Sequence, residues 1–519
     1  MTLTYIDFFC GAGGSSTGAK AVPGVKPVLA ANHWDKAIAS HTANFPDADH
    51  FLGDLHDADV AKFPAGDIFW ASPECPKWSN ARGKKRDFDK QPDLFGDTLP
   101  DEATDRSRAL MWDVPRYLEA MAARGRPVLA GVVENVIDVR AWDLWQAWVQ
   151  DIRDLGYATR LIALNSMHAR PKVTAAAPQS RDRLYLAYWR KDLGRTPDWD
   201  KWLRPQAWCP GCEKVVRAVQ VFKRRGADMG RYRQQYVYRC PHVTCRNTVL
   251  EPPVLPAAAI IDWSLPGRRI GDGKPNRKKF TPYAPATQDR IRAGLAKYAV
   301  PMLAPAGGTW RDEATPVTVP APTRTTREND GLAVPPLLIP AEGRDGKVAA
   351  PTTEPLRTQT ARNETGLAWM PFIAELRGGS SDARPVLDAL ATVTASGNHH
   401  GLATAPGNPG ADWSSLLLPY YGHSTARTVA EPIGALTTRD RYALVKGDQV
   451  PVEEVLFRML EPGEIGAAMA FPTAYTVLGN KREKVRLFGN AVTPPVAEVI
   501  VSALVEAITG HDLPTGGAS

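Results

Sequence analysis

The chain has 519 residues, 44% of them hydrophobic and 23% charged, with a formal net charge of +7. That composition excludes a disordered or fibrous chain and leaves length for more than one domain. Six cysteines are too few for a disulfide scaffold. No apolar run nears the roughly 18 residues that span a bilayer, and the start, MTLTYIDFFCGAGG, lacks the layout of a signal peptide, so a cytoplasmic protein without a membrane partner is expected.

In chain order, Tyr5–Phe9, Pro27–Ala31, Asp67–Ala71, Val128–Val133 and Leu184–Trp189 read as strands bounded by Gly, Pro or Asp. Ser107–Arg124 and Trp142–Leu155 carry helical periodicity. Alternating strands and helices predict an α/β fold with a mostly parallel, doubly wound sheet. Residues 84–106 are polar and predict a long mobile loop. Near the end, Glu453–Leu460, Pro462–Ala470 and Pro494–Ile508 read as helices.

Four cysteines form two close pairs, Cys209-Pro-Gly-Cys212 and Cys240-Pro-His-Val-Thr-Cys245. Each short turn offers two thiolates, and two such knuckles complete the tetrahedron that zinc prefers, so a structural zinc ribbon is predicted. His242 is an alternative ligand to one cysteine. Residues 201–250 also hold eleven Lys/Arg against Glu213 and Asp228. A basic excess confined to a tenth of the chain points to a nucleic-acid contact surface.

A degenerate repeat follows, marked by Gly294-Leu-Ala296, Gly331-Leu-Ala333, Gly366-Leu-Ala368 and Gly401-Leu-Ala403. Threonine-rich segments precede three of these markers, as in Thr323-Arg-Thr-Thr-Arg327, and Leu436-Thr-Thr-Arg439 precedes Tyr442-Ala-Leu-Val445. An apolar run follows most markers. The period predicts a stack of small β-rich units, whose Thr and Arg side chains either meet DNA phosphate or coat a solvent face.

Several motifs carry chemistry. Ile6-Asp-Phe-Phe-Cys-Gly-Ala-Gly-Gly14 is a strand running into a glycine turn, which lets backbone approach a ligand. Asp54 follows an apolar segment, where a carboxylate accepts from a ribose or adenine donor or caps a helix. Glu134, in Glu134-Asn-Val136, ends an apolar run, and desolvation there raises a carboxyl pKa. In Gln179-Ser-Arg-Asp-Arg183, Arg181 and Arg183 share one strand face, because side chains alternate with period two. Cys75 stands alone in Ser72-Pro-Glu-Cys-Pro-Lys-Trp-Ser79, ahead of Lys84-Lys-Arg86.

Taken in this order, the motifs resemble those of the DNA (cytosine-5-)-methyltransferase family. The glycine turn is similar to its cofactor motif, the Cys75 stretch to its nucleophile loop, and Gly489-Asn-Ala-Val492 to its C-terminal motif. The resemblance covers about residues 1–190 and 450–510. It implies an S-adenosylmethionine-dependent enzyme with a Rossmann-like domain that acts on double-stranded DNA, as in restriction-modification, and as a monomer. Cys75 is then the nucleophile, Glu134 the donor to cytosine N3, and Arg181 and Arg183 the groups at O2. Phe9, Gly11, Ala12, Gly14, Trp34, Asp54, Leu55, Asn490 and Val492 would surround the cofactor. Cys209, Cys212, Cys240 and Cys245 lie outside the resemblance.

The expected organisation is a catalytic domain over 1–195, a zinc ribbon insertion at 205–250, a repeat-containing target recognition region at 255–448, and a return to the catalytic domain at 450–510. Two departures stand out. Glu74 precedes the cysteine where the family has proline, and His33 takes the place of its ribose-binding glutamate. They keep open transfer of a different group to cytosine C5; a non-catalytic DNA-binding derivative is the other alternative.

Overall fold

The computed structural model describes residues 2–73, 102–255 (side chains from Leu110 onward) and 461–516, together with strand backbones and isolated positions between 257 and 459. The chain divides into two compact units. One comprises Met1–Ile260, Pro320–Arg327 and Glu461–Ser519; the other comprises Ile261–Val319 and Glu328–Leu460.

The first unit is built on a seven-stranded mixed sheet of order β3-β2-β1-β4-β5-β7-β6. Its strands are β1 (Leu3–Phe8), β2 (Val25–Asn32), β3 (Asp49–Leu52), β4 (Ile68–Ala71), β5 (Ala130–Asn135), β6 (Tyr157–Asn165) and β7 (Asp182–Arg190). All neighbours run parallel except β7, which is antiparallel to both β5 and β6. The expected doubly wound sheet is therefore present, with one reversed strand near its edge.

Period two sorts the central strands between two cores. Ile6, Phe8 and Phe69 face one side with Tyr117 and Trp148, which sit on α3 (Glu102–Ala123) and α4 (Trp145–Asp154). Tyr5, Ile68 and Trp70 face the other with Val496, Ile500 and Leu504 of the C-terminal helix Pro494–Thr509. Strands covered on both faces must be apolar nearly throughout, which is why β4 reads Ile-Phe-Trp-Ala with every residue buried. The helical stretch Lys481–Thr509 is long and apolar enough, by length and composition alone, to cross a membrane, contrary to the sequence expectation; 94% of its most apolar window is buried inside the protein.

Helices α1 (Gly14–Ala21) and α2 (Asp35–Asn44) connect the first three strands. Helix α1 can lie against the C-terminal helix because two glycines lie one turn apart on it. A Cβ on Gly14 would come within 1.9 Å of the Val492 carbonyl oxygen, and one on Gly18 within 2.2 Å of the Pro494 carbonyl oxygen.

After β7 comes the short helix α5 (Trp199–Leu203), then five short strands: β8 (Gln206–Cys209), β9 (Lys214–Arg217), β10 (Val219–Phe222), β11 (Tyr236–Arg239) and β12 (Val249–Leu250). They enclose a small core of Ala207, Val216, Tyr232, Tyr236, Tyr238 and Leu250. Three further helices close the unit: α6 (Pro462–Ala468), α7 (Lys481–Asn490) and α8 (Pro494–Thr509).

The second unit shows what the repeat is. In each copy an apolar strand lies between a short strand and the marker strand. Met302–Pro305 pairs with Thr315–Pro316 and Asp330–Val334, and Leu337–Pro340 pairs with Ala350–Pro351 and Thr365–Ala368. Phe372–Glu375 pairs with Ala383–Pro385 and His400–Leu402, and Ser415–Pro419 with Arg427–Thr428 and Tyr442–Lys446. The register recurs too: Leu332, Leu367 and Leu402 of the markers stand opposite Leu303, Leu338 and Ile373. The marker at 294–296 and the threonine-rich segments lie outside the described residues.

Two expectations are corrected. Leu456–Met459 forms a strand between Arg268–Arg269 and Asp330–Val334, not part of a helix over Glu453–Leu460; long-range pairing outweighs local preference. Helix α3 begins at Glu102, inside the expected 84–106 loop, of which 84–101 lie outside the described residues. The α1–α8 contact predicts that Gly18→Ala costs about 1–3 kcal/mol in urea unfolding through overpacking. Gly463→Ala, whose Cβ meets nothing within 4 Å, should leave stability unchanged or slightly higher.

Candidate active site

Loops at the carboxyl ends of β1, β2, β3, β4 and β5 gather at one edge of the sheet, on either side of the β1–β4 junction where strand order reverses. Open α/β sheets bind ligands at this place. Two bonds hold the loops in step: the Cys10 N–H donates to the Ala31 carbonyl at 3.2 Å and the Gly53 N–H to the Asn32 carbonyl at 3.1 Å.

The glycine turn leaves β1 through a run of left-handed residues, Phe9 at φ 60°, Gly11 at 52° and Gly13 at 81°. Below it Asp7 is fully buried and accepts from the Ser15 and Ser16 hydroxyls at 2.5 and 2.6 Å. His41 touches Ser16 Oγ at 2.9 Å, and its other ring nitrogen meets His50 at 2.9 Å. Burial pushes the Asp7 carboxyl up to about 6, against the pull of both serines, and pushes His41 down to about 3.

The residues that the resemblance assigns to the cofactor come together here. Ala12 is buried and its carbonyl accepts from the Tyr475 hydroxyl at 2.6 Å. Gly14 lies against buried Val492. Trp34 is half-buried, and the Arg486 guanidinium of α7 stands 4.5 Å over its ring. Asp54 accepts from the His56 N–H at 3.1 Å, and the Leu55 carbonyl accepts from Arg116. Asn490 is exposed at the end of α7. His33 is exposed, and Asp35 is exposed and paired with Lys36 at 3.0 Å. Tyr475, Arg486 and Arg116 went unnoticed in the sequence, because no short motif marks a residue that acts on a loop from 61 to more than four hundred positions away.

Glu134 ends β5 and is 7% exposed. Arg183 Nε lies 3.2 Å from its carboxylate. Burial raises the Glu134 pKa, and the charges of Arg183 and Arg181 oppose that rise. Arg181 faces the same region but serves a different purpose. Its guanidinium donates to the Gly489 carbonyl at 3.2 Å and the Ala491 carbonyl at 3.1 Å, and burial lowers its pKa to about 9. Asn135 reaches the Pro73 carbonyl at 3.4 Å. Cys75 lies outside the described residues, as do Glu74 and the basic stretch after it.

The four ribbon cysteines converge, with all sulfurs within 4.8 Å of one another. Cys209 to Cys245 and Cys212 to Cys240 both measure 3.7 Å. The His242 ring is 3.4 Å from the Cys240 sulfur, at the rim of the cluster. A shallow basic crevice beside the ribbon is lined by His168, Arg170, Lys201, Arg204 and Arg217.

Comparison with known proteins gives the same assignment along the chain. The family model for C-5 cytosine-specific DNA methylase matches residues 3–204 and 411–506. Type II methylase M.HgiEI and Type II methyltransferase M.HgiBI, both of Herpetosiphon aurantiacus, are each 29% identical over 188 residues, covering 35% of this chain. The matched stretch spans only 36% of the length of these relatives. Among solved structures, a Spodoptera frugiperda DNMT2 mutant aligns with a TM-score of 0.46 and 13% identity, over 97% of this chain and 100% of that one.

The buried aspartate below the glycine turn has a measurable signature. At pH below about 4, Asp7 is protonated in folded and unfolded chains alike. Between about 4 and 6 the unfolded chain ionises first, so stability is lost as pH rises through that window. A shift of about two units corresponds to roughly 3 kcal/mol. In urea unfolding, the stability of Asp7→Asn relative to the natural chain should therefore rise by about that amount between pH 4 and pH 7. An unchanged difference would contradict the assignment.

Proposed function

Since the chain belongs to the C-5 cytosine-specific DNA methylase family, we propose that it transfers the methyl group of S-adenosylmethionine to C5 of a flipped cytosine in a specific duplex sequence. The observation that carries this reading is the Glu134–Arg183 pair at the end of β5. Beside it, Asn135 holds Pro73, two residues along the chain from Cys75.

Cytosine C5 is too weak a nucleophile to take a methyl group unaided. Addition of the Cys75 thiolate to C6 pushes the ring's electrons toward C5. Glu134 gives its proton to N3 as that negative charge develops, and its burial raises its pKa in the direction that favours the protonated form. Arg183 orients the carboxyl and, with its remaining N–H groups, meets the base at O2. Arg181 acts one step removed, through the carbonyls of the C-terminal motif. After transfer a base takes the C5 proton, the C6–S bond breaks, Cys75 leaves as the thiolate, and N3 returns its proton to the Glu134 carboxylate. A cytosine stacked in duplex is out of reach of these groups, so the base is flipped out of the helix.

The residues at the strand ends fit S-adenosylmethionine, which supplies an electrophilic methyl group when bound. Phe9, Gly11, Ala12 and Gly14 would form the turn that holds it. Trp34, Asp54 and Leu55 would hold its adenine. Asn490 and Val492 would hold its methionine end.

The cysteine cluster fits zinc on its own geometry. A tetrahedron with metal–sulfur distances of about 2.3 Å has edges of about 3.8 Å, and the paired sulfurs stand 3.7 Å apart. Cys209, Cys212, Cys240 and Cys245 would hold the ion, with His242 outside the four. The basic crevice and the repeats then serve as DNA contact surfaces, with sequence specificity residing in the repeat region. The curated relatives are Type II methylases, and the same modification role is proposed here.

Three experiments test this. Duplex DNA carrying 5-fluorocytosine, mixed with the protein and S-adenosylmethionine, should yield a covalent complex through Cys75. Cys75→Ala should give none and should methylate slower by orders of magnitude. Mass spectrometry of the nucleosides from treated DNA should find 5-methylcytosine; any other cytosine adduct moves the reading to a different transferred group. Metal analysis should find about one zinc per chain. Cys240→Ser should lose it and unfold at lower temperature, whereas His242→Ala should keep it.

A further inference from the structure

The ribbon does not merely sit beside the methyltransferase sheet. Gln220 on β10 donates to the Ala163 carbonyl of β6 at 2.9 Å. The buried His168 ring meets Tyr232 and Tyr238 edge-on, with centroids 4.4 and 4.9 Å apart. Two contacts matter more, because they touch the elements that carry the Glu134–Arg183 pair.

The first is at Asp182, between Arg181 and Arg183. The Asp182 carboxylate accepts from the Tyr232 N–H at 3.1 Å and from the Tyr236 hydroxyl at 3.3 Å. Tyr236 is fully buried in the ribbon core, and its strand β11 runs directly into Cys240. The second contact is in the turn after Glu134-Asn-Val136. Asp138 there pairs with Arg231 at 3.1 Å, and Arg140 pairs with Asp228. One ribbon segment, 228–236, therefore grips both the strand bearing the arginines and the turn that follows the glutamate.

We propose that the ribbon is a clamp on the catalytic pair. Tyr232 and Tyr236, acting through Asp182, and Arg231, acting through Asp138, are positioning residues for Glu134 and Arg183. This rests on the proposed roles of Glu134 and Arg183. The leverage is short: Asp182 is peptide-bonded to both arginines, so anchoring its carboxylate anchors the backbone from which theirs project. A misplacement of about 1 Å costs on the order of a hundredfold in rate, so a small relaxation at Asp182 is enough to matter.

The test compares Tyr236→Phe, Asp182→Ala and Asp182→Asn in the full chain. Single-turnover methyl transfer is measured on unmethylated genomic DNA at saturating S-adenosylmethionine, alongside DNA affinity, zinc content and melting temperature. Tyr236→Phe keeps the ring and loses only the hydroxyl. It should retain zinc and bind DNA within about twofold of the natural chain, yet transfer methyl three- to tenfold more slowly per trapped active site. Asp182→Ala should lose more. Asp182→Asn retains a carbonyl acceptor for the same donors and should recover most of the rate.

If the ribbon serves only to contact DNA, the variants will weaken affinity and leave the single-turnover rate alone. If it serves only stability, melting temperature will fall and the rate per active site will not. Either result overturns the clamp. Amide hydrogen exchange over residues 181–186 gives a readout independent of the reaction. Exchange there should quicken at least tenfold in Asp182→Ala, and unchanged protection would also overturn the clamp. Should the natural chain make no 5-methylcytosine, the proposed function fails while exchange still decides the clamp.

Discussion

Everything in the first unit depends on the guanidinium of Arg181 finding two carbonyls, at Gly489 and Ala491, some three hundred residues further along the chain. The ribbon and the repeats follow the seven strands of the sheet, and the chain must come back to cover it with helices. That return is held by groups with no neighbours in sequence. Gly14 and Gly18 let the backbone at Val492 and Pro494 approach helix α1. Tyr475 bonds the Ala12 carbonyl. The Glu498 carboxylate accepts from the N–H groups of Lys172, Val173 and Thr174 at 2.5 to 2.8 Å. Removing one partner of a buried, charge-assisted contact leaves the other unsatisfied, so these contacts act as a set.

The buried charges at the site are of two kinds. Glu134 keeps cationic company, so its desolvation is partly offset by Arg183 and Arg181. Asp7 has the Ser15 and Ser16 hydroxyls and the Ser16 backbone beside it, and burial raises its carboxyl pKa against them. The first arrangement suits a group that exchanges a proton during a reaction. The second suits a group that orders a loop from below, since the hydroxyls it binds begin helix α1.

Much of this was legible beforehand for a simple reason: strands buried on both faces have no freedom to be polar. β1, β4, β5 and β7 announced themselves as apolar runs. β6 went unseen because its first half, Tyr-Ala-Thr-Arg, runs from buried to exposed at the sheet edge and carries no apolar run. Helix α7 is rich in charge and offered no apolar run, although Asn480 and Glu483 spelled its capping box. The strand at Leu456–Met459 was read as helix because its partners lie more than a hundred residues away. At the site, motif residues were legible by order. The division of labour between Arg181 and Arg183 was not, since alternation places both on one face and only tertiary contacts tell them apart. The repeat was visible through Gly-Leu-Ala, yet the apolar strand at its centre is set by pairing that no marker reveals.

The glycine contact between α1 and α8 also bears on how the protein is made. The glycine turn is synthesised several hundred residues before the helix against which it packs. Until then the nascent chain carries the glycine turn, the glutamate and both arginines without the wall at Val492, and Arg181 has no carbonyls to meet. Domains tend to fold in the order of their synthesis, but this one cannot finish until its far end arrives. A chain cut short of α8 lacks the wall at Val492 and the contact that Gly14 and Gly18 make room for.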